Sequence, residues 1–356
     1  MSPSPTSTLL HAARRHPLLW PLATLAMLLV VNAAFNSSFL HLEWRDGHLY
    51  GSLVDIAKSA SPLILVSLGM TLVIATRGID ISVGAVVAVS AAIAAWMVGG
   101  SLVVQDGVAV HASRFPMAVA MAAALGVALL CGAWNGLLVS KVGLQPIIAT
   151  LVLMVAGRGI AQLITGGQII TVYYPPYFVL GNGYLFGLPV VVYVVAALLA
   201  ALLWLTRRTA LGLFIEAAGI NPAAARIAGV PTRRIVFWVY AFCSLCAGVA
   251  GLVISSNVKS ADGNNAGMLM ELDAILAVTL GGTALTGGRF SLGGSVIGAL
   301  SIQTLTYAIY SLGVPPEVNL VVKAVVVFAV MLLQSAEFRR TVVGWARRPQ
   351  AVGGMQ

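Results

Sequence analysis

Two cysteines three residues apart, Cys243-x-x-Cys246, have the spacing of a thiol redox pair or of half a metal site. That chemistry needs an electropositive, partly exposed setting or further ligands. Here the pair lies inside a long apolar run and Cys131 lies in another, so all three read as small packing residues. The histidines (His11, His16, His41, His48 and His111) fall near the N-terminus or between apolar runs. No H-E-x-x-H, G-x-S-x-G or G-x-x-x-x-G-K-[ST] pattern occurs. The residue types therefore point away from covalent catalysis and nucleotide hydrolysis, and no metal or cofactor is expected on this chain.

The remaining chemistry lies in charges placed among apolar residues, where each costs a few kcal/mol at a helix centre, about 3 on insertion scales. Arg77 and Asp80 sit three apart in Arg77-Gly78-Ile79-Asp80-Ile81-Ser82, between two apolar runs, and can pair there. Arg158 has no evident partner. Lys323 is about 9 Å from Glu317 along a helix, within reach for snorkelling outward. For Arg77, Asp80 and Arg158, holding an interrupted helix is the leading role, and a proton relay is the alternative. Glycine pairs at 281–282, 287–288 and 293–294, with Gly132-x-x-x-Gly136 and Gly294-x-x-x-Gly298, permit close helix approach or a broken helix.

Of the 356 residues, 59% are hydrophobic and only 9% are charged. An average soluble domain carries about 25% charged residues. The composition excludes a soluble or disordered chain, and the apolar runs are too long for barrel strands. Ten runs are predicted as helical spans: 17–36, 59–76, 83–99, 116–140, 144–165, 187–206, 235–256, 273–286, 291–311 and 319–335. The first resembles a secretory signal but is long and lacks a clear cleavage site, so it counts as a span. The fold class is all-α: a polytopic integral membrane protein of about ten transmembrane helices. Residues 1–16 and 336–356 form tails around one transmembrane domain, 17–335.

Basic residues orient the bundle. With the N-terminus in the cytoplasm, fourteen of the 20 fall on the inner side, four on the outer side and two, Arg158 and Lys323, inside spans. Eight of the 11 acids fall outside. The net charge of +9 is thus a topology signal, and no nucleic-acid partner is implied.

The longest inner loop, 207–234, carries five arginines against one acid, Glu216. Asn221 suits an N-cap, Pro222 the first helical position and Gly229 the residue after a helix end. A preceding helix through Ala218 is stopped by Gly219. Two short helices with a sharp bend make a rigid knob, with large apolar anchors lacking at its alanine-rich centre. An amphipathic helix on lipid head groups is the alternative.

This E-A-A-x-G loop resembles the coupling loop by which permeases of ATP-binding-cassette (ABC) importers grip their ATPase. Gly78-Ile79-Asp80-Ile81-Ser82-Val83-Gly84, Gly219 through Arg226, and Leu280-Gly281-Gly282-Thr283 through Arg289 are similar to the ribose/xylose/galactoside-type permease family. That family has a further glycine where this chain has Arg77. The resemblance runs from about 20 to 335. Within the family, Met70–Thr76, Leu153–Gly159, Asn264–Gly267 and Val322–Val327 look most like galactofuranose importer permeases.

The resemblance implies the ABC importer permease fold in a bacterial inner membrane, with both termini cytoplasmic. It implies a non-catalytic subunit forming half of a monosaccharide path. The implied partners are an ABC ATPase with two nucleotide-binding domains holding ATP-Mg, a second permease, a periplasmic sugar-binding protein and membrane lipid. Coupling falls to Glu216, Ala217, Gly219, Asn221, Pro222, Ala224, Arg226 and Gly229. Arg77, Gly78, Asp80, Ser82 and Gly84 form the interrupted-helix motif. Asn257, Asp262, Asn264, Asn265, Glu271 and Asp273 suit sugar hydroxyls in the path or contact with the binding protein, although an ordinary solvated loop is the simpler reading. Tyr173, Tyr174, Tyr177 and Tyr184 read as an interfacial aromatic belt before a sugar-stacking set. The competing class is an ion-coupled secondary transporter with Asp80 as the coupling carboxylate.

Overall fold

A computed structural model describes residues 18–334 apart from Asp46, Gly100, Asp106, Gly107 and Val314. The tails 1–16 and 336–356, with the basic residues expected there, lie outside the described residues.

The described chain is built from helices α1 (Leu19–Phe35), α2 (Ser52–Ala75), α3 (Val83–Val98), α4 (Met117–Leu137), α5 (Pro146–Thr165), a single turn α6 (Val179–Asn182), α7 (Val190–Arg208), α8 (Leu211–Ile220), α9 (Pro222–Ile227), α10 (Thr232–Val258), α11 (Met270–Leu280), α12 (Leu292–Ser311) and α13 (Pro316–Gln334). Ten of these fall on the ten apolar runs. Six, counting the π turn Leu138–Val142 with α4, are long and apolar enough to cross a membrane: α2, α4, α5, α7, α10 and α12. Two boundaries move. α2 starts seven residues before its run because its first turns carry Asp55 and Lys58, and the Lys58 Nζ donates to Asn182 Oδ1 at 2.9 Å. α11 opens with Glu271 and Asp273 in its first turn, where acids complement the helix dipole, and ends at Leu280 before Gly282 (φ +88°).

The core is organised on α2, which is buried nearly all round, and α10, which packs against it; α4, α5 and α7 keep largely exposed outer faces. A helix apolar on every face is the pattern expected of a bundle centre. Close approach uses small residues. A side chain at Gly132 of α4 would stand 2.7 Å from Ser244 Cβ and Tyr240 O of α10; one at Gly136 would meet Phe237 O, also at 2.7 Å. Gly294 and Gly298 of α12 lie as tightly on Gly281 and Ala277. Thr71 adds a polar tie, its hydroxyl lying within hydrogen-bond distance of Ser67 O and of Ser295 Oγ of α12. Cys243 and Cys246 are buried in α10, and Gly69 lies against Cys243 Cα, which is the packing role expected of them.

The connections sort into two ends. At one, four antiparallel strand pairs form: β1 (Glu43–Arg45) with β2 (His48–Tyr50), β3 (Ser101–Gln105) with β4 (Val108–Ala112), β5 (Ile170–Thr171) with β8 (Ser260–Ala261), and β6 (Tyr184–Leu185) with β7 (Leu188–Pro189). Backbone bonds Leu49–Gly187, Tyr173–Gly99 and Val172–Lys259 tie these segments together. Tyr177 is wholly buried here, bonded to Ser255, so it belongs to the core and not to an aromatic belt; Tyr184 stacks on His48 at 4.5 Å between centroids. At the other end, segments 76–82, 219–221 and 286–288 meet.

Gly132→Val should overpack the α4–α10 contact and lower stability by about 2 kcal/mol. Thermal unfolding of the purified protein in detergent reads this, with Gly126→Val, where the space is open, as the neutral comparison.

Candidate functional site

α2 ends in a Schellman turn: Gly78 N donates to Val73 O and Arg77 N to Ile74 O, both at 2.9 Å. The turn requires a left-handed residue, and that residue is Arg77, at φ +64°. A non-glycine side chain there costs roughly 1 kcal/mol. The expected Arg77–Asp80 pair does not form, because the left-handed turn sends the two side chains to different neighbours. The Arg77 guanidinium donates to Ile220 O at 2.5 Å and to Thr286 O at 3.1 Å. Asp80 is fully buried, and its Oδ1 accepts from Ser82 N (3.0 Å), Ser82 Oγ (2.6 Å) and Asn135 Nδ2 (3.4 Å). Ile81 N reaches Thr150 Oγ1 of α5, and Tyr240 packs against Gly78 and bonds Ile79 O. Asn135, Thr150 and Tyr240 thus complete the interrupted-helix motif. They were not readable from sequence, since each is an ordinary residue within a distant apolar run.

The knob forms as expected around Asn221. Its backbone is extended (φ −153°), and its Oδ1 accepts from Ala223 N and Ala224 N, both at 3.1 Å. Pro222 opens α9, and Gly229 (φ +83°) follows its end. Arg226 Nε donates to Thr232 Oγ1 at 2.9 Å, fastening α9 to the start of α10. Two expectations change. Gly219 does not stop the helix; α8 continues to Ile220, and the bend is made by Asn221. Nor does the knob lack apolar anchors: Ile220 is 57% and Ile227 91% exposed, near half-buried Glu216 and Ala217 and exposed Ala224.

Gly219 has a different job. A side chain there would overlap Ala75 O and come within 2.5 Å of Gly288 N, while Gly288 N itself donates to Ala75 O at 2.8 Å. Gly287 (φ +81°) and Gly288 (φ +97°) lie flush against Arg77 and Ile220. The three glycine-bearing motifs therefore converge on one junction, backbone against backbone. A cleft lined by Thr76, Gly78, Pro222, Arg226 and Tyr240 separates the rest of the knob from the helix break.

The predicted polar cluster at the strand end divides. Asn257 is exposed, and its carbonyl accepts from Asn182. Asp262 caps a turn, accepting from Asn264 N and Asn265 Nδ2. The chain then descends beside α5 and α3. Gly263 lies on Ala161 O, Asn264 Oδ1 accepts from Gln162, and Arg158 donates to Asn264 O (3.3 Å) and Ala266 O (2.6 Å). Gly267 abuts Gly84 and Val87, roughly 16 Å along α3 from its far end. Segment 263–269 is irregular backbone lying against α3 and α5, with Gly263 buried and Asn264, Asn265 and Met268 exposed. Arg158, without an evident partner in sequence, supplies donors to its carbonyls. Asn264 and Asn265 remain exposed, whereas Glu271 is buried against Gly84. Asp273 leaves the cluster altogether, pairing with Lys323 of α13 at 2.5 Å, so Lys323 points inward and does not snorkel.

A capped knob and two loops thus close on the helix break at one end of the helical bundle. Residues 52–331 match the family model described as branched-chain amino acid transport system / permease component, and the chain belongs to this family. It is a multi-pass, non-catalytic permease component of an ABC importer. It is 47% identical over 331 residues to the galactofuranose transporter permease protein YtfT of Escherichia coli (strain K12), covering 91% of this chain and 93% of that one. The fructose import permease protein FruF of Bifidobacterium longum (strain NCC 2705) is 36% identical (93% and 91% covered). The ribose import permease protein RbsC of Escherichia coli (strain K12) is 37% identical (80% and 85%). No solved structure matches.

Gly219→Ala should push α8 off the Ala75 carbonyl and speed amide exchange across 211–228. Asn221→Ala should loosen α9 alone, by about 1 kcal/mol. Wild-type exchange in the Gly219 variant would show that the junction is not tight.

Proposed function

We propose that the chain forms half of the translocation path of an ABC importer for a monosaccharide, galactofuranose being the substrate favoured by the relative it matches at 47% identity. Ten crossings of a bacterial inner membrane, with both termini cytoplasmic, fit the two-ended sorting of the connections and the inner excess of basic residues. The observation that carries the reading is the knob: a bent, capped helix pair with Ile220 and Ile227 exposed, seated directly on the break between α2 and α3. Exposed apolar side chains on a rigid mount suit a groove on a partner ATPase that holds ATP-Mg on its two nucleotide-binding domains. Closing of those domains pulls the knob, and the junction passes the pull to α2.

The path is supported by segment 263–269. Irregular backbone at membrane depth is tolerated where protein buries it or where it lines a cavity. With Arg158 and Gln162 holding it and the amides of Asn264 and Asn265 exposed, it offers donors and acceptors of the kind sugar hydroxyls take. A periplasmic binding protein delivers the sugar at the strand end, and a second permease closes the path. Ion coupling through Asp80 is the weaker reading, since Asp80 Oδ1 is engaged in capping the Ser82 turn.

Proteoliposomes holding the permease pair, ATPase and binding protein should take up sugar only with ATP, and the permease alone should give no uptake on an ion gradient. Uptake by the permease alone would contradict the proposal. Arg226→Glu, which breaks the tie to Thr232, should lower uptake about tenfold, corresponding to roughly 1.4 kcal/mol of coupling, while ATP hydrolysis continues.

A further inference from the structure

The importer reading leaves Arg77 without a role, although the chain accepts a left-handed arginine at a turn that glycine would make without strain. Its surroundings supply a reason. Ile220 is the last residue of α8, and its carbonyl is among those a helix end leaves without an intrahelical donor. Thr286 O belongs to the glycine-rich turn between α11 and α12. One guanidinium donates to both, from a backbone position that itself terminates α2. The planar fork suits two carbonyls in fixed directions, and the positive charge suits the C-terminal end of α8. The side chain runs along Gly287, where any Cβ would stand 2.5 Å from Arg77 Cγ, so the glycine gives the arginine its channel.

We infer that Arg77 is a positioning residue for energy coupling. It latches the coupling knob and the 281–291 turn to the end of α2, so that the three move as one body when the ATPase pulls. This rests on the importer reading above. The backbone contact of Gly219 with Ala75 can transmit a push, since the two cannot interpenetrate, but apart from hydrogen bonds nothing in it resists separation. The Arg77 bonds supply that resistance from the knob side. The cleft beyond Pro222 and Arg226 leaves the remainder of the knob free to swing about this fastened edge.

Arg77→Gly is the informative substitution. It removes the latch while suiting the left-handed turn better than arginine does, so thermal stability in detergent should be kept or raised. In the reconstituted complex, ATP hydrolysed per sugar imported should rise severalfold, about fivefold for the loss of a charge-assisted bond. Arg77→Lys, which keeps one charged donor, should recover part of the wild-type ratio, whereas Arg77→Met should behave like Arg77→Gly. In the isolated permease, amides of 219–222 and 286–289 should exchange faster in Arg77→Gly while those of 146–165 are unchanged. Unchanged exchange overturns the latch. Faster exchange with a wild-type coupling ratio overturns its role in coupling. Absence of ATP-driven uptake by the wild-type complex would instead count against the importer reading itself, whereas the exchange comparison does not depend on transport.

Discussion

At the end of the bundle where the knob sits, three segments meet on one carbonyl. Ala75 O, at the last turn of α2, accepts from Gly288 N and lies directly under Gly219, with no side chain between the three segments. A contact made by main chain alone has few degrees of freedom, because it has no rotamers to adjust. Displacement of one segment must be answered by the others or by breaking hydrogen bonds. That stiffness makes a small knob on the surface mechanically continuous with α2, the most enclosed long helix of the bundle.

The same economy of side chains recurs through the membrane-embedded body. Between apolar helices in lipid there is little hydrophobic gain from association, so packing of small residues and a few hydrogen bonds carry it. Gly132 and Gly136 on α4, Gly69 on α2 and Gly294 and Gly298 on α12 each let a neighbouring backbone approach to contact. Charges follow the complementary rule. Lys323 meets Asp273, and Arg158 meets carbonyls of the irregular 263–269 segment, so each of these half-buried cations has an acceptor. Such a segment needs that help, since a non-helical backbone at depth presents groups that lipid cannot satisfy.

The helix break and the 263–269 segment both touch the first turns of α3. The break at 76–82 enters α3 at Val83, and the descending segment ends against Gly84 and Val87. The irregular segment therefore lies within about one helical turn of the point where the break enters α3.

Much of this was legible from composition and spacing. Helices formed on all ten apolar runs, and six of them are long and apolar enough to cross a membrane. Asn221, Pro222 and Gly229 fixed their helix because caps are local chemistry. Family motifs in the sequence marked the three loops that matter. What the chain does with them was decided by tertiary contact. Gly219 read as a helix stop and is a contact surface, because helix propensity cannot see a carbonyl 144 positions away in the chain. Arg77 was read as a partner for Asp80, its neighbour in sequence, but the left-handed turn aims it at Ile220 and Thr286. Arg158 and Gln162 were not readable as partners of the 262–269 loop, yet both bond to it across more than 100 positions of sequence. Local rules set which elements form. Only the packed fold determines which groups from distant segments come within 3 Å of one another, as Gly288 N and Ala75 O do, and Arg158 and Ala266 O.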